Sequence, residues 1–203
     1  MPQPLDRLKE TPSQTAGPFV HIGLVPSFAG LDGIYPDLGR SMVNERTRGE
    51  RITITGRVFD GNGAPLRDCV VEIWQADADG LYPSPSETRG AADPNFTGWG
   101  RAAADAESGV YRFETIKPGR VPYPDGRMQA PHVSLWIVAR GINLGLNTRM
   151  YFSDEPDANA ADPILGRIEH KARLATLIGR REGAAVTFDI HLQGPDETVF
   201  FDI

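Results

Sequence analysis

Along much of this 203-residue chain, apolar positions recur with a period of two. RITITGRVFD, residues 51–60, puts Ile52, Ile54 and Val58 on one parity, which predicts a strand buried on one side. CVVEIWQAD (69–77) sets Cys69, Val71, Ile73 and Gln75 against Val70, Glu72, Trp74 and Ala76. GVYRFETI (109–116), APHVSLWIVARG (130–141), LNTRMYF (146–152) and AAVTFDIHLQGP (184–195) predict further strands, and ETVFFDI (197–203) ends the chain. Between them lie turn signals. DGNGAPL (60–66) carries Asp-Gly and Asn-Gly pairs, which favour tight turns. DADGLY (77–82) reads as a tight acidic turn, because it lacks the oxygen ligands of a calcium loop. Residues 83–100 and 117–131 read as long loops that no helix or strand absorbs. Helical spacing is confined to AADPILGRIEHKARLATLIGRR (160–181), through Ile164, Leu165 and Ile168, then Leu174, Leu177 and Ile178. Arg180 and Arg181 would suit the C-terminal end of its dipole.

The pattern predicts an all-β protein: a β-sandwich core with long loops and one peripheral helix. The 22 Gly and 17 Pro are spread along the chain rather than pooled in a linker, which suits many turns within one domain. We expect residues 50–203 to form that domain and residues 1–49 to form an arm and irregular region that packs on a partner.

Charge and cysteine content narrow the function classes. The net charge is −6, with no long basic run, so neither nucleic acid nor an anionic membrane surface is an expected partner. One cysteine, Cys69, excludes an internal disulfide framework and points to a reducing compartment. The opening MPQPLDRLKETPS has no apolar leader and no stretch approaches ~18 apolar residues, so a cytoplasmic protein is expected.

Familiar catalytic motifs are missing. No GxGxxG precedes a helix, and there is no phosphate-binding GxxxxGK, no GxSxG and no HExxH. The four histidines, His21, His132, His170 and His191, stand far apart. His170 reads as solvated, His191 as a surface strand residue, and His21 as part of a packed N-terminal segment. Glu72 reads as a side chain at a sheet edge or interface, and Cys69 as a small core residue. His132 is ambiguous: a strand-borne metal site would place its second ligand two residues on, where Ser134 stands.

Several strings taken together carry a resemblance. TPSQTAGPFVHIGL, GRVFDGNGAPLRDCVVEIWQADADGLY, DPNFTGWGR, YRFETIKPG, APHVSLWIVARGI and LNTRMYF resemble, in order and over nearly the whole chain, the intradiol ring-cleaving dioxygenases. The resemblance is greatest to the alpha-type subunit of the two-subunit enzymes that cleave protocatechuate. It implies a β-sandwich and a similar beta-type partner in a higher alpha-beta oligomer. It also implies a ferric ion, Fe(III), held in the beta subunit by two tyrosines and two histidines. The implied reaction opens protocatechuate with O2 to 3-carboxy-cis,cis-muconate, on the β-ketoadipate route.

Carried over position by position, the resemblance implies that the iron site is vestigial here and that this chain holds no metal. The histidine pair becomes His132 and Ser134, and Val121 takes the place of one tyrosine. The other tyrosine falls in a shortened loop at Gly90, Ala91 and Ala92. An assisting arginine becomes Gln129. A single imidazole has little affinity for a hard ferric ion, so His132 reads as a remnant, the alternative being a rebuilt site that uses Tyr123. The resemblance further implies that Thr15, Gly17, Pro18 and Phe19 reach the partner's iron cavity, and that Arg140 meets the substrate carboxylate at its mouth. The plainer alternatives are an arm that only adds interface area and a surface arginine after a strand. Two other readings of the whole chain remain: a self-sufficient catechol-type enzyme, and a β-sandwich binding or structural module without catalysis.

Overall fold

The computed structural model describes residues 16–17, 23–31, 39–143 and 145–202. Eleven strands can be followed in chain order: β1 (Arg51–Phe59), β2 (Val70–Trp74), β3 (Trp99–Ala103), β4 (Val110–Ile116), β5 (Val121–Pro122), β6 (Met128–Gln129), β7 (His132–Val138), β8 (Leu146–Phe152), β9 (Ile178–Glu182), β10 (Ala185–Thr187) and β11 (Ile190–His191). Nine of them form one sheet in the order β11-β1-β10-β9-β8-β7-β2-β3, with β4 paired to β1, while β5 and β6 pair only with each other. The sheet folds over on itself as a near-closed sandwich, β9 joining its halves by pairing with both β8 and β10.

Alternation places the core as the sequence suggests. Ile52, Ile54 and Val58 of β1, Val71 and Ile73 of β2, Phe113 of β4, Val133, Leu135 and Ile137 of β7, and Met150 and Phe152 of β8 meet in one buried cluster. Gly56 interrupts the apolar parity of β1 for a steric reason. A Cβ there would stand 1.8 Å from the Phe188 carbonyl oxygen and 2.7 Å from the Tyr111 hydroxyl, two groups that hydrogen-bond each other. Cys69 is fully buried, and burial pushes its thiol up to about 12, which fits a core residue rather than a nucleophile.

Two local expectations are corrected. Residues 160–181 do not form a helix. They give the end of a short helical turn (Pro156–Ala160), two 3-10 turns (Leu165–Arg167 and Lys171–Leu177) and then strand β9. The cause lies at Asp162, whose Oδ1 accepts the amides of Ile164 and Leu165 at 2.8 and 2.9 Å and fixes a local turn. Arg181 serves no helix dipole: it pairs with Glu50 and, at 2.6 Å, with Asp154. The second correction concerns residues 117–131, where β5 and β6 form a small ladder, Val121 opposite Gln129.

Part of the N-terminal region packs on its own sandwich. Met42 is buried, Ser41 bridges to Glu114, and Leu24 and Val25 cover Val70, Val138 and Trp136. Among the described residues, no helix is long and apolar enough to cross a membrane.

Candidate functional site

The face of β7 that turns away from the core carries the informative residues. His132, Ser134, Trp136 and Val138 share that parity. Antiparallel register brings their neighbours alongside: Trp74 of β2 opposite Ser134, Arg149 of β8 opposite Ser134 on the other side, and Tyr151 opposite His132. Directly opposed side chains in such a ladder start about 5 Å apart. A small serine between a tryptophan and an arginine therefore leaves room for the guanidinium to lie over the sheet.

His132 is buried, 3% exposed, and its Nδ1 lies 2.8 Å from the carbonyl oxygen of Ala130. A carbonyl only accepts, so Nδ1 carries the proton. Burial, reinforced by the charge of Arg149, lowers the imidazole to about 4, so the ring is neutral at pH 7. Its ring packs against Tyr151 at 5.7 Å. Burial also drives the Tyr151 phenol well above its ordinary value, and its hydroxyl lies 3.4 Å from Asp162 Oδ1. Asp162 is 2% exposed; besides its own turn it accepts the amide of Ala130 at 2.8 Å, binding the segment before β7 to the one after β8.

Arg149 completes the cluster. Its Nη1 donates to Gln129 Oε1 at 2.9 Å, and its charge bears on His132, Tyr151 and Tyr82. Beside it opens a cavity of about 520 Å³ whose walls include Trp74, Tyr82, Arg89, Val121 and Tyr123. Trp74 and Tyr82 stack at 5.7 Å. The Tyr123 hydroxyl accepts from Arg167 at 3.0 Å, so a guanidinium already holds the one phenol the alternative reading would use. Gly90 and Ala91 are exposed and Ala92 half-buried, none with a donor side chain. Among the described residues, no group of three or more His, Cys, Asp or Glu side chains is placed to hold a metal ion.

Arg140 lies beyond the far end of β7. Its side chain is 63% exposed and pairs with Asp68 at 2.9 Å. A seven-residue strand spans roughly 20 Å, so Arg140 is out of reach of the cluster around His132. Gly17 has φ 67°, a left-handed conformation that a side chain would strain. Thr15, Pro18, Phe19 and His21 lie outside the described residues. Glu72 forms a half-buried ion pair with Arg101 at 2.5 Å, and His191 stacks on Phe59 at 5.0 Å. Arg149, Asp162 and Asp68 escaped the sequence reading. A charged residue in the middle of LNTRMYF, opposite a serine, was the one available signal for Arg149, and it became visible only with strand register.

Comparison with known proteins adds to this geometry. A family model described as Dioxygenase matches residues 26–194. The Pseudomonas putida protein named protocatechuate 3,4-dioxygenase alpha chain is 44% identical over 203 residues, covering 98% of this chain and 99% of its own length. The Burkholderia cepacia protocatechuate 3,4-dioxygenase beta chain is 41% identical over 174 residues, covering 80% of this chain and 73% of its own. The dioxygenase domain of a carbohydrate-binding fusion from Streptomyces sp. SirexAA-E superposes with a TM-score of 0.54 at 25% identity, over 94% of this chain and 100% of that one. Hydroxyquinol 1,2-dioxygenase from Pseudomonas putida DLL-E4 gives a TM-score of 0.58 at 22% identity, over 76% and 59%, a likeness of fold.

Proposed function

The chain belongs to the intradiol dioxygenase family that includes the protocatechuate 3,4-dioxygenase alpha and beta chains, a two-subunit arrangement, and from that premise we propose that it is the alpha subunit of a protocatechuate 3,4-dioxygenase. In this reading the beta subunit holds Fe(III), and the assembled cytoplasmic complex cleaves protocatechuate with O2 to 3-carboxy-cis,cis-muconate, both oxygen atoms entering the product. The observation that carries the reading is the residue set around β7. Where an iron site would need two histidines and two phenolates, this chain offers one buried imidazole tied to its own backbone, a serine and a valine. These residues do not fit a ferric ion, and no step of the reaction runs through them.

The position of Arg140 supports the same reading. A substrate in this chain's own cavity lies beyond its reach, and its 63% exposed side chain is accessible to a substrate that a docked partner would hold. Bound in the partner, a ferric ion would supply Lewis acidity toward the substrate's hydroxyl oxygens. The role of this chain is then to shape and charge the mouth of that cavity. On this reading Thr15, Gly17, Pro18 and Phe19 would wall that mouth, Pro18 stiffening it and Gly17 allowing close backbone approach, and Arg140 would orient the substrate carboxylate. Residues 1–49 contribute to the shared interface, which in obligate complexes commonly buries ~2,000 Å² or more.

The test is metal analysis and ring-cleavage assay of this chain alone, of the beta subunit alone, and of the two combined. We expect iron and activity to follow the beta subunit, with full activity only in the combination. Near-stoichiometric iron in this chain alone, with a phenolate charge-transfer band, would contradict the proposal.

A further inference from the structure

We propose that the guanidinium of Arg149, set beside His132 and Ser134 on β7 and bonded to Gln129, takes the place of a metal ion there, as a built-in cation that closes this cluster to metals. This rests on the subunit assignment and goes beyond it, because it concerns what this cluster of side chains would bind rather than what the complex does.

Three observations converge. First, the strand register places Arg149 directly opposite Ser134, the position that the family resemblance makes a histidine. Second, its Nη1 sits 2.9 Å from Gln129 Oε1, and Gln129 is the ladder partner of Val121, the position that the resemblance makes a tyrosine. The guanidinium thus lies among the side chains that would surround an ion. Third, the groups around it are those a cation requires. They are the amide oxygen of Gln129, the His132 ring and Tyr151 phenol on which its charge bears, and the face of the Phe201 ring, 5.9 Å from its Cζ; Asp162 is one step further out, 3.4 Å from the Tyr151 hydroxyl. The guanidinium brings a full positive charge to the cluster. Restoring ligands alone should therefore leave the cluster repelling a metal ion.

The experiment uses the full-length chain titrated with Co(II), followed by the d–d absorption of the bound ion, with metal per chain measured after dialysis. Three variants are compared with the parent: Val121→Tyr with Ser134→His, the same pair with Arg149→Gln, and the same pair with Arg149→Lys. We expect the pair alone to bind Co(II) no more than about tenfold more tightly than the parent, and the Gln combination about 100-fold more tightly than the pair, since a full charge at contact distance is removed. The Lys combination, which keeps the charge, should behave like the pair. Equal affinity of the pair and the Gln combination, or of the Lys and Gln combinations, would overturn the proposal.

A second measurement does not depend on those multiple variants folding. Arg149→Ala should lose several degrees of melting temperature. Methylguanidinium at tens of millimolar should restore part of that loss, relative to its effect on the parent, and methylurea, neutral and of the same shape, should restore none. Equal effects of the two compounds, or no loss of melting temperature in the first place, would show that no cation is required there.

Discussion

The two ends of β7 carry the same kinds of side chain under opposite conditions. At the first end, His132, Arg149 and Asp162 are drawn into a cluster where His132 and Asp162 are almost wholly removed from water. At the other, Arg140 and Asp68 form an ion pair whose side chains are 63% and 28% exposed. Burial makes the hydrogen bonds of the first cluster costly to disturb. Exposure makes the second cheap to disturb, hence available to a third charge. A buried backbone amide or side chain left without its hydrogen-bond partner costs about 1–3 kcal/mol, whereas an exposed ion pair is worth about 0–1 kcal/mol. The contrast teaches that the same side-chain types brace the fold where they are buried and stay open to a further charge where they are exposed.

The largest break of this contrast is Asp162→Ala. The carboxylate accepts the backbone amides of Ala130, Ile164 and Leu165, all within 2.9 Å. Removing it leaves those donors without partners inside the protein. We expect a loss of about 3–5 kcal/mol, read as a fall in melting temperature of about 10 °C or more. A change under 1 kcal/mol in chemical denaturation would mean that the cluster does not hold the two segments together.

The next effect is a pH dependence located at His132. Folding lowers its imidazole from 6.5 to about 4. Below 6.5 the unfolded chain takes up a proton that the folded chain refuses, so protons favour unfolding. The contribution is complete above about pH 6.5 and is lost as the pH falls toward 4; it amounts to about 3 kcal/mol at most. His132→Gln should flatten that part of the stability-pH curve relative to the parent. An unchanged slope would place the titration elsewhere.

How far the sequence reading reached follows the same division between local and long-range causes. Strands such as β1, β7 and β8 were legible because their burial alternates within a few residues, as in the run of Val133, Leu135 and Ile137. Strand β3 was not, because Gly100, Ala102 and Ala103 give little hydrophobic contrast and its place depends on pairing with β2. The false helix over 160–181 arose because Leu165 and Leu177 do share a buried cluster, though they reach it through turns set by Asp162 rather than along one helix face. At the site, His132 and Ser134 could be singled out by spacing. Arg149 and Asp162 could not, since each acts through a partner 20 or more residues away or across a turn.

The exposed end gives the smallest stability effect and the most informative kinetic one. Arg140→Ala should change the stability of the chain by less than about 0.5 kcal/mol, because the lost pair is exposed. In the assembled, iron-matched complex it should nevertheless raise KM for protocatechuate about tenfold, the loss expected for one charge-assisted hydrogen bond to a carboxylate. Slow turnover of catechol, which lacks the carboxylate, should hardly change. Asp68 sharpens the test, because on the proposed reading it would compete with the substrate for the guanidinium it already pairs with. Asp68→Asn releases Arg140 without removing it, so KM for protocatechuate should fall, by about two- to threefold, with kcat unchanged. High salt should shrink that gain, since it already screens the exposed pair. If both variants altered protocatechuate and catechol turnover equally, Arg140 and Asp68 would be bracing the end of β7 rather than facing a partner's substrate.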